Sequence, residues 1–165
     1  MKNKNIQVEV INKSQNELPK YANEGDAGMD LRADFSHGIN EDFMWGAAWD
    51  DVAKCLRIFP NGRALIPTGI YSAIPKGYEV QVRSRSGLAL KHGLFVLNSP
   101  GTIDSGYRDE WGVIVQNVGV EDLEIYQGDR IAQAVLNKIE QIEWKEVSKL
   151  SGEDRGGGFG STGKS

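Results

Sequence analysis

The amino-acid sequence predicts an all-β domain of the sandwich or jelly-roll class. Short segments alternate apolar and polar side chains at period two, and glycine, proline, asparagine or aspartate separates them, the pattern of half-buried strands joined by turns. They also recur at the close spacing of short strands packed in layers. With 165 residues, 39% hydrophobic and 25% charged, the chain has the size and balance of one domain that buries its own core. The candidate strands, in order, are Ile6 to Ile11, Arg63 to Ile66, Gly69 to Ile74, Tyr78 to Val82, Leu94 to Asn98, Gly112 to Asn117, Leu123 to Tyr126 and Ile131 to Ile142.

One stretch departs from this rhythm. Between Asn40 and Arg57, the residues Trp45, Trp49, Val52 and Leu56 recur at near-helical spacing, with Asn40 placed as an N-cap and acidic residues following it. This predicts one short amphipathic helix within an insertion spanning about 36–62. Two roles are open for its tryptophans: packing on the outside of the barrel, or anchoring a protein partner. The chain is expected to divide into a β domain over 1–150 and a flexible tail over 151–165, SGEDRGGGFGSTGKS, whose apolar content is too low to offset its ordering entropy. Such a tail is either free or a flap over a phosphate-bearing ligand, because glycine lets backbone amides approach oxygen closely.

Composition narrows the function. The single cysteine, Cys55, forms no intrachain disulfide, and MKNKN runs into IQVEVIN rather than an apolar signal block, so a reducing, cytoplasmic setting is expected. No apolar run approaches the ~18 residues of a membrane span, and a net charge of -4 argues against a general nucleic-acid surface. The expected partners therefore include neither membrane nor nucleic acid, and a polyanionic ligand would need locally placed arginines. His37, His92 and Cys55 lack metal-ligand spacing, and there is no P-loop or dinucleotide fingerprint.

Four segments carry chemistry-bearing residues. RSRSGLALKHG, from Arg83, sets two arginines and two hydroxyls before a glycine at a strand end, which is either a solvated edge or a phosphate cradle. In NSPGTIDSGYRDEWG, Asn98 offers donors and an acceptor for a base edge, and Tyr107 lies three residues beyond Asp104. Asp104 is open to two readings, an Asx-capped turn or a general base for a hydrolytic water. GDRIAQAVL, from Gly128, offers Gln133 as a ligand candidate, with Asp129 and Arg130 pairing at the turn. DAGMDLRA, from Asp26, offers Asp30 as a structural or metal-linked carboxylate.

In this order, DAGMDLRA, RSGLALKHG, GTIDSGY, GDRIAQAV and RGGGFGSTG resemble the five motifs of the trimeric dUTP pyrophosphatases (dUTPases), over Asp26 to Gly163. The resemblance implies a jelly-roll-like β-barrel of the dUTPase type and a homotrimer with shared active sites. The implied reaction is Mg2+-dependent cleavage of dUTP to dUMP and pyrophosphate, which limits uracil in DNA and supplies dUMP for thymidylate synthesis. It implies that Asp104 orients the attacking water and that Tyr107 lies against the deoxyribose. Asn98, with backbone at Gly101 and Ile103, would read uracil. Arg85, Ser86, Gly87 and Gln133 would hold phosphates, and Asp30 would reach the metal through water. In the tail, Arg155 would meet the terminal phosphate and Phe159 the uracil face, with Gly160, Ser161 and Thr162 in the phosphate cradle. Ser84 stands where the family usually has proline and Asp109 where it commonly has glycine, and the interval between Arg155 and Phe159 is one residue short. The alternatives are a dCTP deaminase of the same fold, which should lack the GTIDSGY arrangement, and a nucleotide-gated protein-binding regulator that uses the insertion.

Overall fold

The computed structural model describes residues 5–154 and 156. Eleven strands make up almost all of the regular structure: β1 Glu9–Asn12, β2 Gly28–Arg32, β3 Met44–Asp50, β4 Cys55–Pro67, β5 Ile70–Ala73, β6 Tyr78–Arg83, β7 Leu94–Val96, β8 Gly101–Ile103, β9 Gly112–Asn117, β10 Leu123–Tyr126 and β11 Arg130–Lys138. One sheet runs β2-β11-β6-β8, a second runs β10-β4-β9-β7 with β3 also on β4, and β1 pairs with β5. Alternate residues of the two larger sheets face each other, so Leu31, Val80, Val82 and Ala134 share one core with Leu56, Ile58, Ile66, Val113 and Val115. This is the all-β architecture that the period-two pattern predicts.

The expected helix over Asn40 to Arg57 is absent, and a β-hairpin, β3-β4, takes its place. The N-cap signal at Asn40 is real but short, because its side chain accepts from the Asp42 N–H at 3.0 Å and starts only a 3-10 turn, Glu41–Phe43. Two features defeat the helix. Asp50 Oδ1 accepts from the N–H groups of Val52 and Ala53, both at 2.9 Å, which closes a turn where a helix would run on. A bulge between Trp45 and Ala47, with Gly46 at a φ of 58°, shifts the alternation. Trp49 then packs on the core edge, its ring 5.2 Å from Phe35 in an edge contact, while Trp45 stays half exposed under the Arg63 guanidinium.

A seven-residue helix that the pattern did not foretell, α1 Ser86–His92, follows β6 and is stopped by Gly93 in the left-handed region. β11 ends at Lys138 rather than Ile142. Residues 139–154 carry no helix or strand, and Ile142, Trp144 and Leu150 are 73%, 84% and 85% exposed.

Candidate functional site

The ends of β2, β6 and β11 assemble the first group of site residues. Gln133 lies opposite Asp30 on one side and Arg83 on the other, so residues distant in sequence share one row of the sheet. Asp30 Oδ1 accepts from Arg85 Nε at 2.8 Å and Oδ2 accepts from Arg130 Nη1 at 3.1 Å, while Arg85 Nη1 donates to the Arg130 carbonyl at 3.1 Å. One carboxylate thus aims two guanidinium groups, leaving a net positive charge at a strand end. Gln133 Nε2 donates to the Ser84 carbonyl at 2.9 Å, and Ser84 Oγ accepts from the Val96 N–H at 2.9 Å, which fixes the turn that presents Arg85, Ser86 and Gly87. Gly28 makes room for that arrangement, since a Cβ there would sit 2.5 Å from Gln133 Oε1. Beside the arginines opens a cavity of about 290 Å³, lined by Arg85, Leu88, His92, Glu124 and Arg130 among others.

The second group gathers around β8. Gly101 and Ile103 are buried, and Asn98 folds over Gly101, its Nδ2 at 3.3 Å from where a Cβ would be. Asp104 follows directly, exposed, in a turn closed by the Tyr107 N–H donating to the Asp104 carbonyl at 3.1 Å. Arg108 Nη1 braces the same turn on the Ser105 and Tyr107 carbonyls, both at 2.8 Å. Tyr107 donates its hydroxyl to the Glu110 carbonyl at 3.0 Å. Burial, with the charges of Asp109 and Glu110 behind it, pushes the Tyr107 phenol above its ordinary pKa, so it stays a neutral donor.

These two groups do not form one pocket within a chain. Gly101 pairs with Val82, and Val82 with Ala134, so Asp104 lies three strands across and about four residues along from Asp30. Standard sheet spacings make that separation on the order of 20 Å. The two groups therefore stand apart on the sheet. The expected tail residues Arg155, Phe159, Gly160, Ser161 and Thr162 lie outside the described residues.

Two residues with a place in this geometry escaped the sequence reading. Arg130 was expected to pair with Asp129, yet it reaches Asp30, and Asp129 Oδ2 accepts from the Tyr126 N–H at 2.8 Å instead. Glu110 ties the Asp104 turn to the β4-β5 turn behind it. An arginine interrupting an apolar strand was the one available signal for the first; nothing local marked the second.

Comparison with known proteins agrees with the geometry. The family model dUTPase matches residues 51–163. A deoxyuridine 5'-triphosphate nucleotidohydrolase of Fusobacterium nucleatum is 51% identical over 162 residues, covering 98% of this chain and 99% of the relative. One from Finegoldia magna is 47% identical over 159 residues, covering 96% and 99%. Among solved structures, a variant of the Staphylococcus bacteriophage 80alpha dUTPase with dUpNHpp superposes with a TM-score of 0.76 at 25% identity, covering 95% of this chain and 98% of that one. A variant phage phi11 dUTPase, described with a structural Mg(II) ion, gives 0.71 at 22% identity over 89% and 100%. On the match over most of its length and on relatives this similar, the chain belongs to the dUTPase family.

Proposed function

We propose that the chain hydrolyses dUTP to dUMP and pyrophosphate, and that the pair of arginines aimed by Asp30 is the observation that carries this reading. Arg85 and Arg130 present forked donors to phosphate oxygens, while Ser86 and Gly87 supply the start of α1 beside them. Asn98 and the backbone at Gly101 and Ile103 take the uracil edge, and Tyr107 covers the deoxyribose. Asp104, whose carboxylate accepts no hydrogen bond among the described residues, takes a proton from the water aimed at the α-phosphorus. Gln133 acts through the Ser84 turn.

The donor set suits magnesium held by the triphosphate and water, because among the described residues no cluster of three acidic, histidine or cysteine side chains forms a cage. Asp30, with lone pairs to spare beyond its two arginines, would reach such an ion through a water. When bound, the ion would neutralise phosphate charge.

A homotrimer with shared sites supplies what one chain lacks. The separation of the half-sites supports it, and so does the exposed apolar set Ile142, Trp144 and Leu150 beyond β11. The tail over 151–165 would then close a neighbour's site as a flap.

Turnover of dUTP, dTTP, dCTP and UTP with and without magnesium tests this reading, with pyrophosphate and ammonia both assayed. Pyrophosphate from dUTP alone, dependent on magnesium, is the expected result; ammonia from dCTP would replace it with the deaminase reading.

A second role rests on the β3-β4 hairpin and the 3-10 turn before it, where Trp45 and Phe43 are 50% and 44% exposed and form a candidate anchor for a protein partner between Asn40 and Arg57. Loss of a co-purifying partner in Trp45→Ala, with dUTP turnover intact, is expected; unchanged partners would remove this role.

A further inference from the structure

The turn that carries Asp104 and Tyr107 is braced within itself and held at both ends, by Ile103 of β8 paired with Val80 on one side and by Glu110 and Trp111 on the other. Glu110 Oε1 accepts from the backbone N–H groups of Thr68 and Gly69, at 3.1 and 2.6 Å, and Oε2 lies 3.5 Å from the Tyr71 hydroxyl. The next residue completes the anchor: Trp111 N–H donates to the Ile70 carbonyl at 2.8 Å, and the Thr68 hydroxyl donates to the Trp111 carbonyl at 2.6 Å. Thr68 and Trp111 are buried, so this end of the turn is part of the rigid core. The opposite face of the same residue meets the sugar-facing group, since the Glu110 carbonyl accepts the Tyr107 hydroxyl at 3.0 Å.

Glu110 therefore joins two things that sequence keeps apart: the β4-β5 turn, about forty residues earlier, and the phenol three residues before it. A carboxylate accepting two backbone N–H groups is a strong, charge-assisted anchor. Its geometry fixes where the Glu110 backbone sits, and hence where its carbonyl holds the Tyr107 ring.

We propose that Glu110 is a positioning residue for sugar selection, which sets the pose of Tyr107 and thereby the exclusion of a ribose 2'-hydroxyl. This rests on the dUTPase reading above. Its carboxylate faces the Thr68–Gly69 turn, and because Asp104 shares the Tyr107 turn, any shift of Asp104 scales both substrates alike, so sugar choice is read in their ratio.

The test is kcat and KM for dUTP and UTP in the wild type, Glu110→Gln, Glu110→Asp and Glu110→Ala, with Tm for each. The amide oxygen of E110Q still accepts from both N–H groups, so its preference for dUTP over UTP, as a ratio of kcat/KM, should stay within about threefold of wild type. E110A loses the anchor, and misplacing a group by about 1 Å costs up to ~100-fold, so a fall in that preference of about tenfold or more is expected. If E110A does not fold, E110D carries the same expectation in smaller degree, because it keeps the charge but is one methylene too short. A merely structural role would lower Tm and scale both substrates together; an unchanged preference in E110A or E110D overturns the proposal. A wild type inert towards dUTP would instead overturn the hydrolase reading, and the inference with it.

Discussion

At the scale of the residue, the site depends on a few atoms that hold others in place. Asp104, the base proposed above, and Gly28 stand for two kinds of residue, one that would react and one that positions. Asp104→Asn keeps the shape of the turn and removes the base, and general-base help is commonly worth about 10²- to 10⁴-fold, so kcat should fall by that much while dUTP binding persists. Near-normal turnover would exclude it as the base. Gly28 marks the other kind of residue. In Gly28→Ala the new Cβ would stand 2.5 Å from Gln133 Oε1, the far end of a flexible side chain, so the amide swings away and its bond to Ser84 is lost. That bond is worth about 1 kcal/mol, so KM for dUTP should rise roughly fivefold with little change in kcat. Steady-state kinetics decides it, and an unchanged KM would detach Gln133 from the phosphate turn.

At the scale of the element, the hairpin shows what a local pattern hides. Trp45 and Trp49 stand four apart, which suits a helix as well as a bulged strand, and the bulge at Gly46 removes the strict alternation that would have told them apart. The Asp50 turn is held by hydrogen bonds from Val52 and Ala53, and these, ahead of the Arg57 charge, hold the Asp50 carboxyl below its ordinary 3.8. A lowered folded-state pKa means that this group favours the turn above that value and ceases to do so as pH falls through the folded-state value. The amide proton shifts of Val52 and Ala53 should therefore titrate with a midpoint below 3.8, and shifts that stay flat through the acid range would dissociate them from Asp50. Most strands were legible because each needs only its own alternation, whereas β2, β3, β8 and the first half of β4 were not read as strands. The site was legible as separate motifs, but not Arg130 or Glu110. The partner of Arg130 lies 100 residues away and that of Glu110 about forty, distances over which periodicity carries no information. The seven residues of α1 are too few to establish a period of 3.6.

At the scale of the whole molecule, the separation of Asp30 from Asp104 governs what a single chain achieves. If each site takes one half from each of two chains, an Arg85→Ala chain and an Asp104→Asn chain, each inactive alone, should complement each other when unfolded and refolded together. At equal mixing roughly a quarter of sites receive both intact halves, so about that share of wild-type turnover should return. No recovery, with mixed oligomers demonstrated by mass, would place the whole site within one chain.

The same separation has a genetic consequence. If each site is shared in this way, a chain altered in one half spoils only the site to which it lends that half, while its sound half still serves a neighbour, so the active sites equal the normal chains present. An allele altered in both half-sites spoils two sites and at equal mixing leaves roughly a quarter of sites active instead of about half, so it should interfere with its normal counterpart, whereas an allele altered in one half, or one that never folds, should be recessive. In such a molecule, dominance is a matter of sheet spacing.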